Sequence, residues 1–77
     1  MSAPVFKVFD VRPVLARGEE PFGLIRTKVD ALLPGHGLIV IAPFMPAPLI
    51  EILQSEGFRA TVEHQRDGAW AVKFWRE

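Results

Sequence analysis

The residues best suited to bind a ligand or a partner lie in two short segments of the sequence. The first segment contains Arg12, Arg17, Gly18, Glu19 and Glu20. Its two arginines precede a predicted helix start and would suit an anion, because the N–H groups and dipole of a helix N-terminus also favour negative charge. The alternative is that Arg12 pairs with Asp10, while Glu19 and Glu20 already occupy the helix start.

The second segment presents two apolar side chains, Phe44 and Met45, between the flanking prolines Pro43 and Pro46. Proline lacks the N–H that helices and β-sheets use for backbone hydrogen bonds, so this segment is predicted to be a loop. Phe44 and Met45 could contact a partner or line a shallow pocket. The alternative is that they fold back onto the helices as the edge of the core.

Side chains for catalysis or metal binding are sparse. The chain has no cysteine, which excludes thiol nucleophiles, disulfides and thiolate metal sites. His36 and His64, its two histidines, lack the spacing of a metal-binding pair. Glu19 and Glu20 are adjacent, so in an extended loop they point apart instead of forming an acid–base pair. We expect no catalytic residue, no metal and no cofactor.

Composition limits the class of protein. Nine basic and nine acidic residues give zero net charge, so no basic field attracts nucleic acid, and this disfavours nucleic-acid binding. With 49% hydrophobic residues and no apolar run of about 20 residues, a soluble protein that does not enter a membrane is expected. The first four residues lack a secretory signal, so the expected location is cytoplasmic. We expect one domain, spanning residues 5–77.

The first half of the chain predicts a strand, a helix and a second strand. A β-branched and aromatic run predicts the first strand over residues 5–11, followed by a loop over residues 14–20. Pro21 suits a helix start, and the helix ends before Pro34-Gly35. Within this helix, apolar residues recur at helical spacing on one face: Phe22, Ile25, Val29, Leu32 and Leu33. The apolar run 38–42 predicts a central strand.

The second half predicts a short helix and a hairpin. Pro48 can open the helix and Gly57 can end it. Two alternating segments, 58–65 and 69–76, flank Asp67-Gly68, which is hairpin turn chemistry. The predicted order is βαβαββ. This order predicts an α/β (α+β) two-layer sandwich, in which two helices cover one face of a four-stranded mixed sheet.

The other face of that sheet has no predicted cover. If Trp70, Val72 and Phe74 face the helices, then Ala71, Lys73 and Trp75 point to the uncovered side. They would join either Ile39 and Ile41 or Leu38 and Val40, together with Val5 and Phe9 of the first strand. Such a patch would be large for a free surface, so we expect a second copy or another protein to cover it. Alternatively, Lys7 and Lys73 lay their stems across it and the chain is monomeric.

Several motifs resemble the TusA/SirA-like family of small bacterial sulfur-relay proteins. The matching residues are Phe9-Asp10-Val11-Arg12 at the end of the first strand, Pro21, the Pro34-Gly35 turn and the strand 38–42. The resemblance implies the same fold. Where that family has Cys-Pro-x-Pro, this chain has Gly18-Glu19-Glu20-Pro21, and a glycine cannot accept sulfane sulfur.

A second resemblance is to a cysteine-free branch of that family, catalogued as a domain of unknown function. Asp10-Val11-Arg12-Pro13, Pro21-Phe22 and the proline-rich stretch 43–48 carry this likeness. Members of the branch are often found beside hemerythrin-like or denitrification-related proteins, which implies a link to redox or nitrogen-oxide metabolism by association.

Three functions follow as expectations. The first is a non-catalytic binding or adaptor domain. The second is a cysteine-less participant in a sulfur relay that docks a sulfur-carrying partner. The third is an RNA-binding module, because the layout also resembles the C-terminal domain of translation initiation factor three, although zero net charge weighs against it.

Overall fold

The fold was determined as a computed structural model that describes residues 5–76. Residues 1–4 and Glu77, the last residue of the predicted domain, lie outside the described part. The described elements are β1 (Val5–Asp10), α1 (Arg12–Ala16), α2 (Phe22–Asp30), β2 (His36–Ala42), α3 (Ala47–Ser55), β3 (Arg59–His64) and β4 (Trp70–Trp75).

The four strands form one mixed sheet in the order β1-β2-β4-β3. β1 pairs with β2 in parallel, whereas the pairs β2–β4 and β3–β4 are antiparallel. The carboxyl ends of β1 and β2 and the β3–β4 turn therefore lie at the same edge of the sheet. The predicted α/β architecture with a four-stranded mixed sheet is confirmed.

The core lies between one face of the sheet and the helices. Alternate residues of β2 and β4 supply the sheet side of this layer, since successive side chains of a strand point to opposite faces. α2 contributes Ile25 and Val29, and α3 contributes Leu49 and Leu53. The predicted inward face of the last strand is confirmed for Val72 and Phe74, which are fully buried, and Trp70 is half-buried beside them.

The predicted loop over residues 14–20 is partly wrong, because its first residues belong to the short helix α1. Pro13 was interpreted as the end of the strand, but a proline also fits the first turn of a helix, where its missing N–H is not needed. Val14 is buried on α1. The described chain thus has three helices where two were predicted.

Two predicted positions differ from the structure. Leu33 was placed on the buried helix face, but α2 ends at Asp30 and Leu33 is 64% exposed. Val5 and Phe9 were placed on the uncovered side of the sheet. The parallel register sets Phe9 beside Val40, on the helix side, so Phe6 and Val8 occupy the uncovered side instead.

Candidate functional site

An open apolar groove of about 490 Å³ lies at the sheet edge where β1 and β2 end. Ligands of open α/β sheets tend to bind at this place, because the strand-to-helix connections gather there. We call it the strand-edge groove. It is lined by Val11, Leu15, Gly18, Glu19, Glu20, Pro21, Phe22, Ile25, Val40, Ala42, Phe44, Pro46, Pro48 and Leu49.

The floor of the strand-edge groove is a continuation of the core. Val11, Val40 and Ala42, at the ends of β1 and β2, and Ile25 and Leu49, from α2 and α3, are at most 7% exposed. Both α2 and α3 begin at this edge, since Phe22 of α2 and Pro48 and Leu49 of α3 line the groove. The groove is therefore the open end of the core layer between the sheet and the helices, and apolar side chains form its floor.

One part of the groove rim is acidic. Gly18 ends the turn after α1 with φ +76°, a left-handed conformation that glycine adopts without strain. Glu20 accepts a hydrogen bond from the Phe22 N–H at 2.7 Å through Oε1, which satisfies a free donor at the start of α2. Glu19 accepts hydrogen bonds from Arg17, both at 3.3 Å. The Glu20 contact agrees with the alternative that this residue occupies the helix start, whereas Glu19 contacts Arg17 and not α2.

Another part of the rim is apolar. Phe44 lines the strand-edge groove and is 53% exposed, so it is not packed into the core edge. Pro46 beside it is buried and Pro48 is exposed, and both line the groove. Met45 is also exposed but does not line the groove. The two sequence segments thus meet at one site, to which Gly18, Glu19, Glu20 and Phe44 contribute directly.

Arg12 does not reach this site. Its Nε donates to both carboxylate oxygens of Asp10, at 3.0 and 3.1 Å, and its Nη2 donates to Asp10 Oδ2 at 2.8 Å. Its Nη1 donates to Asp67 Oδ2 in the β3–β4 turn, at 3.1 Å. The anion-binding interpretation is therefore weak for Arg12, whose guanidinium joins the end of β1 to the hairpin.

These contacts shift the pKa values of all three groups. The hydrogen bonds from Arg12 lower the pKa of Asp10 below its ordinary value. The pKa of Asp67 is lowered first by the Ala69 N–H, which donates to Oδ1 at 3.0 Å, and then by Arg12. The pKa of Arg12 is raised by the hydrogen bonds to Asp10 and then Asp67, so all three groups are charged at neutral pH.

The uncovered face of the sheet carries a second apolar surface, which we call the open face. It contains Phe6 and Val8 of β1, Ile39 and Ile41 of β2, and Ala71 and Trp75 of β4. The rings of Phe6 and Trp75 pack edge to face at 6.2 Å. Lys73 Nζ lies 5.8 Å from the centre of the Phe6 ring, so this lysine covers part of the surface. The four predicted dimer-face residues, Ile39, Ile41, Ala71 and Trp75, lie together here.

A concavity of about 520 Å³ along the hairpin is less suited to binding. It is lined by the consecutive residues Glu63, His64, Gln65, Arg66 and Asp67, none of which is buried. The His64 ring stacks on Trp70 with the ring centres 4.2 Å apart. Because no buried side chain forms a floor, a ligand would gain little from entering it.

Sequence reasoning missed the floor of the groove and part of its rim. Val11 was assigned to the strand, and Leu15 to a loop, although Leu15 lies on α1 and lines the groove. Ala42 lies in the predicted central strand and Leu49 on the predicted second helix, and neither was a candidate site residue. The two predicted strand-to-helix connections, 12–20 and 43–48, indicate this sheet edge as the ligand site, but they do not indicate which residues form its floor.

The fold and groove define a small two-layer α/β domain whose sheet is covered by helices on one face. The chain belongs to DUF2249, a family described as uncharacterized conserved protein, whose sequence model matches residues 8–76. No curated protein and no solved structure significantly matches this chain. Over residues 5–76, none of the helices has the length and apolar character needed to cross a membrane. Within the same residues, no three potential metal ligands of the His, Asp or Glu type come together.

Proposed function

We propose that this domain is a non-catalytic binding or adaptor module that holds a partner protein through the strand-edge groove. The observation that carries the proposal is the groove itself: an apolar floor continuous with the core, opening beside the exposed ring of Phe44. Its volume of about 490 Å³ is within the ordinary range of binding pockets.

A protein segment fits the groove better than a small polar metabolite. Pockets for such metabolites usually contain a few placed polar groups that orient the ligand. Among the described residues no polar or charged side chain is buried, so the floor has no group of that kind. Exposed aromatic and methionine side chains, such as Phe44 and Met45, are typical of protein interfaces.

The proposal is tested by placing a photo-crosslinking phenylalanine analogue at position 44 in the producing cell. Position 24 on α2 gives a matched control, because Leu24 is a similarly exposed apolar residue, at 45%, that does not line the groove. We expect a defined protein to crosslink from position 44 and not from position 24. The purified protein should then bind the unmodified domain, and Phe44→Ala should weaken this binding at least tenfold while Leu24→Ala does not.

Equal crosslinking from both positions, or equal affinity of the two alanine variants, would contradict the proposal. Turnover of a substrate by the isolated domain would also contradict the non-catalytic part.

A narrower form of the proposal is a cysteine-less participant in a sulfur relay. It is supported by the resemblance to the TusA/SirA-like family and by the place of Gly18 to Pro21, which stand where that family has Cys-Pro-x-Pro and which line the groove rim. In this form the crosslinked protein would carry a reactive cysteine or a persulfide. A partner without any cysteine would contradict this narrower form and would leave the adaptor proposal unaffected.

The resemblance to the cysteine-free branch supports another narrower form, a link to redox or nitrogen-oxide metabolism. Its test is the same crosslink, since the captured protein would then be a hemerythrin-like or denitrification-related protein. A captured protein without a role in redox chemistry would count against it.

A further inference from the structure

We propose that the partner segment entering the strand-edge groove combines a large apolar side chain with a lysine or arginine close to it in sequence. This inference rests on the proposed function and adds the chemistry of the partner. It follows from the separation of apolar and charged groups around the groove.

The apolar requirement comes from the floor. Val11, Ile25, Val40 and Ala42 are buried and present only hydrocarbon to the groove. A side chain that fills this space is taken out of water, and the gain from burial grows with the apolar area of that side chain. A charged or small polar side chain would lose hydration there without gaining a hydrogen bond. An aromatic or long aliphatic anchor is therefore favoured.

The basic requirement comes from the rim. Of the fourteen residues that line the groove, two are charged, and both are acidic: Glu19 and Glu20. No lysine, arginine or histidine lines it. Glu20 uses Oε1 to cap α2, which leaves its negative charge in place at the rim. A cation next to the apolar anchor would face these two carboxylates, whereas an acidic segment would be repelled.

Arg17 is the nearby cation that could oppose this attraction, but its hold on Glu19 is weak. Both Arg17–Glu19 contacts are 3.3 Å long, and more than half of each side chain is exposed. Surface ion pairs of this kind contribute little and are screened by salt. A cation from the partner could therefore replace or join Arg17 at Glu19, and within residues 5–76 no lysine or arginine forms an ion pair with Glu20.

The test uses a random dodecamer peptide library displayed on phage and selected on the whole chain. We expect the enriched peptides to pair Trp, Phe, Leu or Met with Lys or Arg. The most enriched peptide, made synthetically, should bind Phe44→Ala about tenfold more weakly than the unmodified chain. It should bind the double variant Glu19→Gln, Glu20→Gln about 3- to 10-fold more weakly at low salt, and this difference should shrink in 0.5 M salt.

Matched controls separate charge from folding. Glu20→Gln keeps a side-chain carbonyl that can accept the Phe22 N–H, so the helix start is preserved while the charge is removed. Glu51→Gln removes an exposed carboxylate of α3 that does not line the groove, and Leu24→Ala removes an exposed apolar side chain elsewhere. Glu51→Gln and Leu24→Ala should each bind the peptide with an affinity within about twofold of that of the unmodified chain, since neither residue lines the groove.

The outcomes distinguish this inference from the proposed function. Enriched peptides that are apolar without basic residues, and whose affinity depends on Phe44 but not on the two glutamates, would overturn the inference alone. Peptides that bind the Phe44→Ala variant and the unmodified chain equally, or a library that enriches nothing above the level seen with Phe44→Ala, would overturn both.

Discussion

At the scale of single residues, Gly37 is the position where the fold depends most on a missing side chain. A Cβ built there would lie 2.6 Å from the carbonyl oxygen of Phe74 and 2.4 Å from the Phe6 ring. The ring could turn away, but the carbonyl belongs to the backbone of β4. We predict that Gly37→Ala lowers the free energy of unfolding by about 1 to 3 kcal/mol, as overpacking typically does, measured by urea denaturation.

Gly23 on α2 is the control for this prediction. A Cβ there meets no atom within 4 Å, and its backbone is helical. Gly23→Ala should leave stability unchanged or raise it by up to about 1 kcal/mol, because alanine restricts the unfolded chain and favours the helix. Equal effects of the two substitutions would show that the close approach of Phe6 and Phe74 to Gly37 does not limit the fold.

The contact residues of the groove could be predicted only in part. Phe44 was identified because prolines isolate an apolar side chain in a loop, which is a local signal. The floor could not be identified in this way, since Val11, Ala42 and Leu49 become neighbours only when β1, β2 and α3 pack together. A sequence pattern indicates that such residues are apolar, but it does not indicate which of them remain at the mouth of the core.

At the scale of elements, the long periodic segments were predictable and the short ones were not. α2 and the β3–β4 hairpin follow from helical spacing and from the Asp67-Gly68 turn. α1 has five residues, too few for a periodic pattern, and its stability comes from burying Val14. The face assignment of β1 failed because both sets of alternating residues contain apolar side chains, so only the register with β2 decides which set faces the helices.

The contacts of Arg12 connect α1 to the hairpin and predict an acid-dependent stability. The pKa values of Asp10 and Asp67 are both below the ordinary 3.8 in the folded chain. Their stabilisation is therefore complete above about pH 5 and is lost as the pH falls through the lowered folded values. We predict that urea midpoints fall between pH 5 and pH 2, and that Asp67→Asn makes this fall shallower.

Asp67→Asn keeps an oxygen that can accept the Ala69 N–H, so the turn is preserved while the charge is removed. Glu51→Gln, at an exposed position of α3, provides the comparison and should leave the acid dependence of the midpoints as it is. If Asp67→Asn and the unmodified chain lose stability in parallel below pH 5, the contact between Arg12 and the Asp67 carboxylate does not contribute to the acid dependence.

At the scale of the whole molecule, the open face sets a limit on self-association. Four strands of six or seven residues, about 4.8 Å apart, cover roughly 400 Å², about half of what each partner contributes to a standard interface. A two-fold dimer through this face stays a proposal, and this area predicts that it is weak. Sedimentation should show a monomer at micromolar concentration and a mixture of monomer and dimer at about 1 mM.

Charge placed on the open face tests that dimer. Val8 is 63% exposed, so Val8→Glu should fold normally and abolish the association. Trp75→Glu, at the end of the inner strand β4, should abolish it as well. Leu24→Glu, on the far side of α2, should not change it. A dimer that survives Val8→Glu, or a monomer at about 1 mM in the unmodified chain, would show that a second copy does not cover this face.

RNA binding on the open face is disfavoured by its charges. Lys73 and Arg59 on this side of the sheet are accompanied by Asp10 and Glu63 on the same side. Single-stranded nucleic acid needs a groove of positive charge beside its aromatic platforms. The Phe6 and Trp75 rings could stack with bases, but no net positive charge surrounds them. A labelled oligo-uridine should therefore bind weakly at physiological salt.

The most direct test of the groove as the binding site is an NMR titration of the ¹⁵N-labelled chain with the peptide selected on it. We predict that the largest amide shift changes fall within residues 18–22 and 44–49, which contain the groove rim and the first residues of α2 and α3. Residues 59–64 of β3 and 73–75 of β4, none of which lines the groove, should change little. Shift changes concentrated at residues 59–64 and 73–75, with the rim unaffected, would contradict the account.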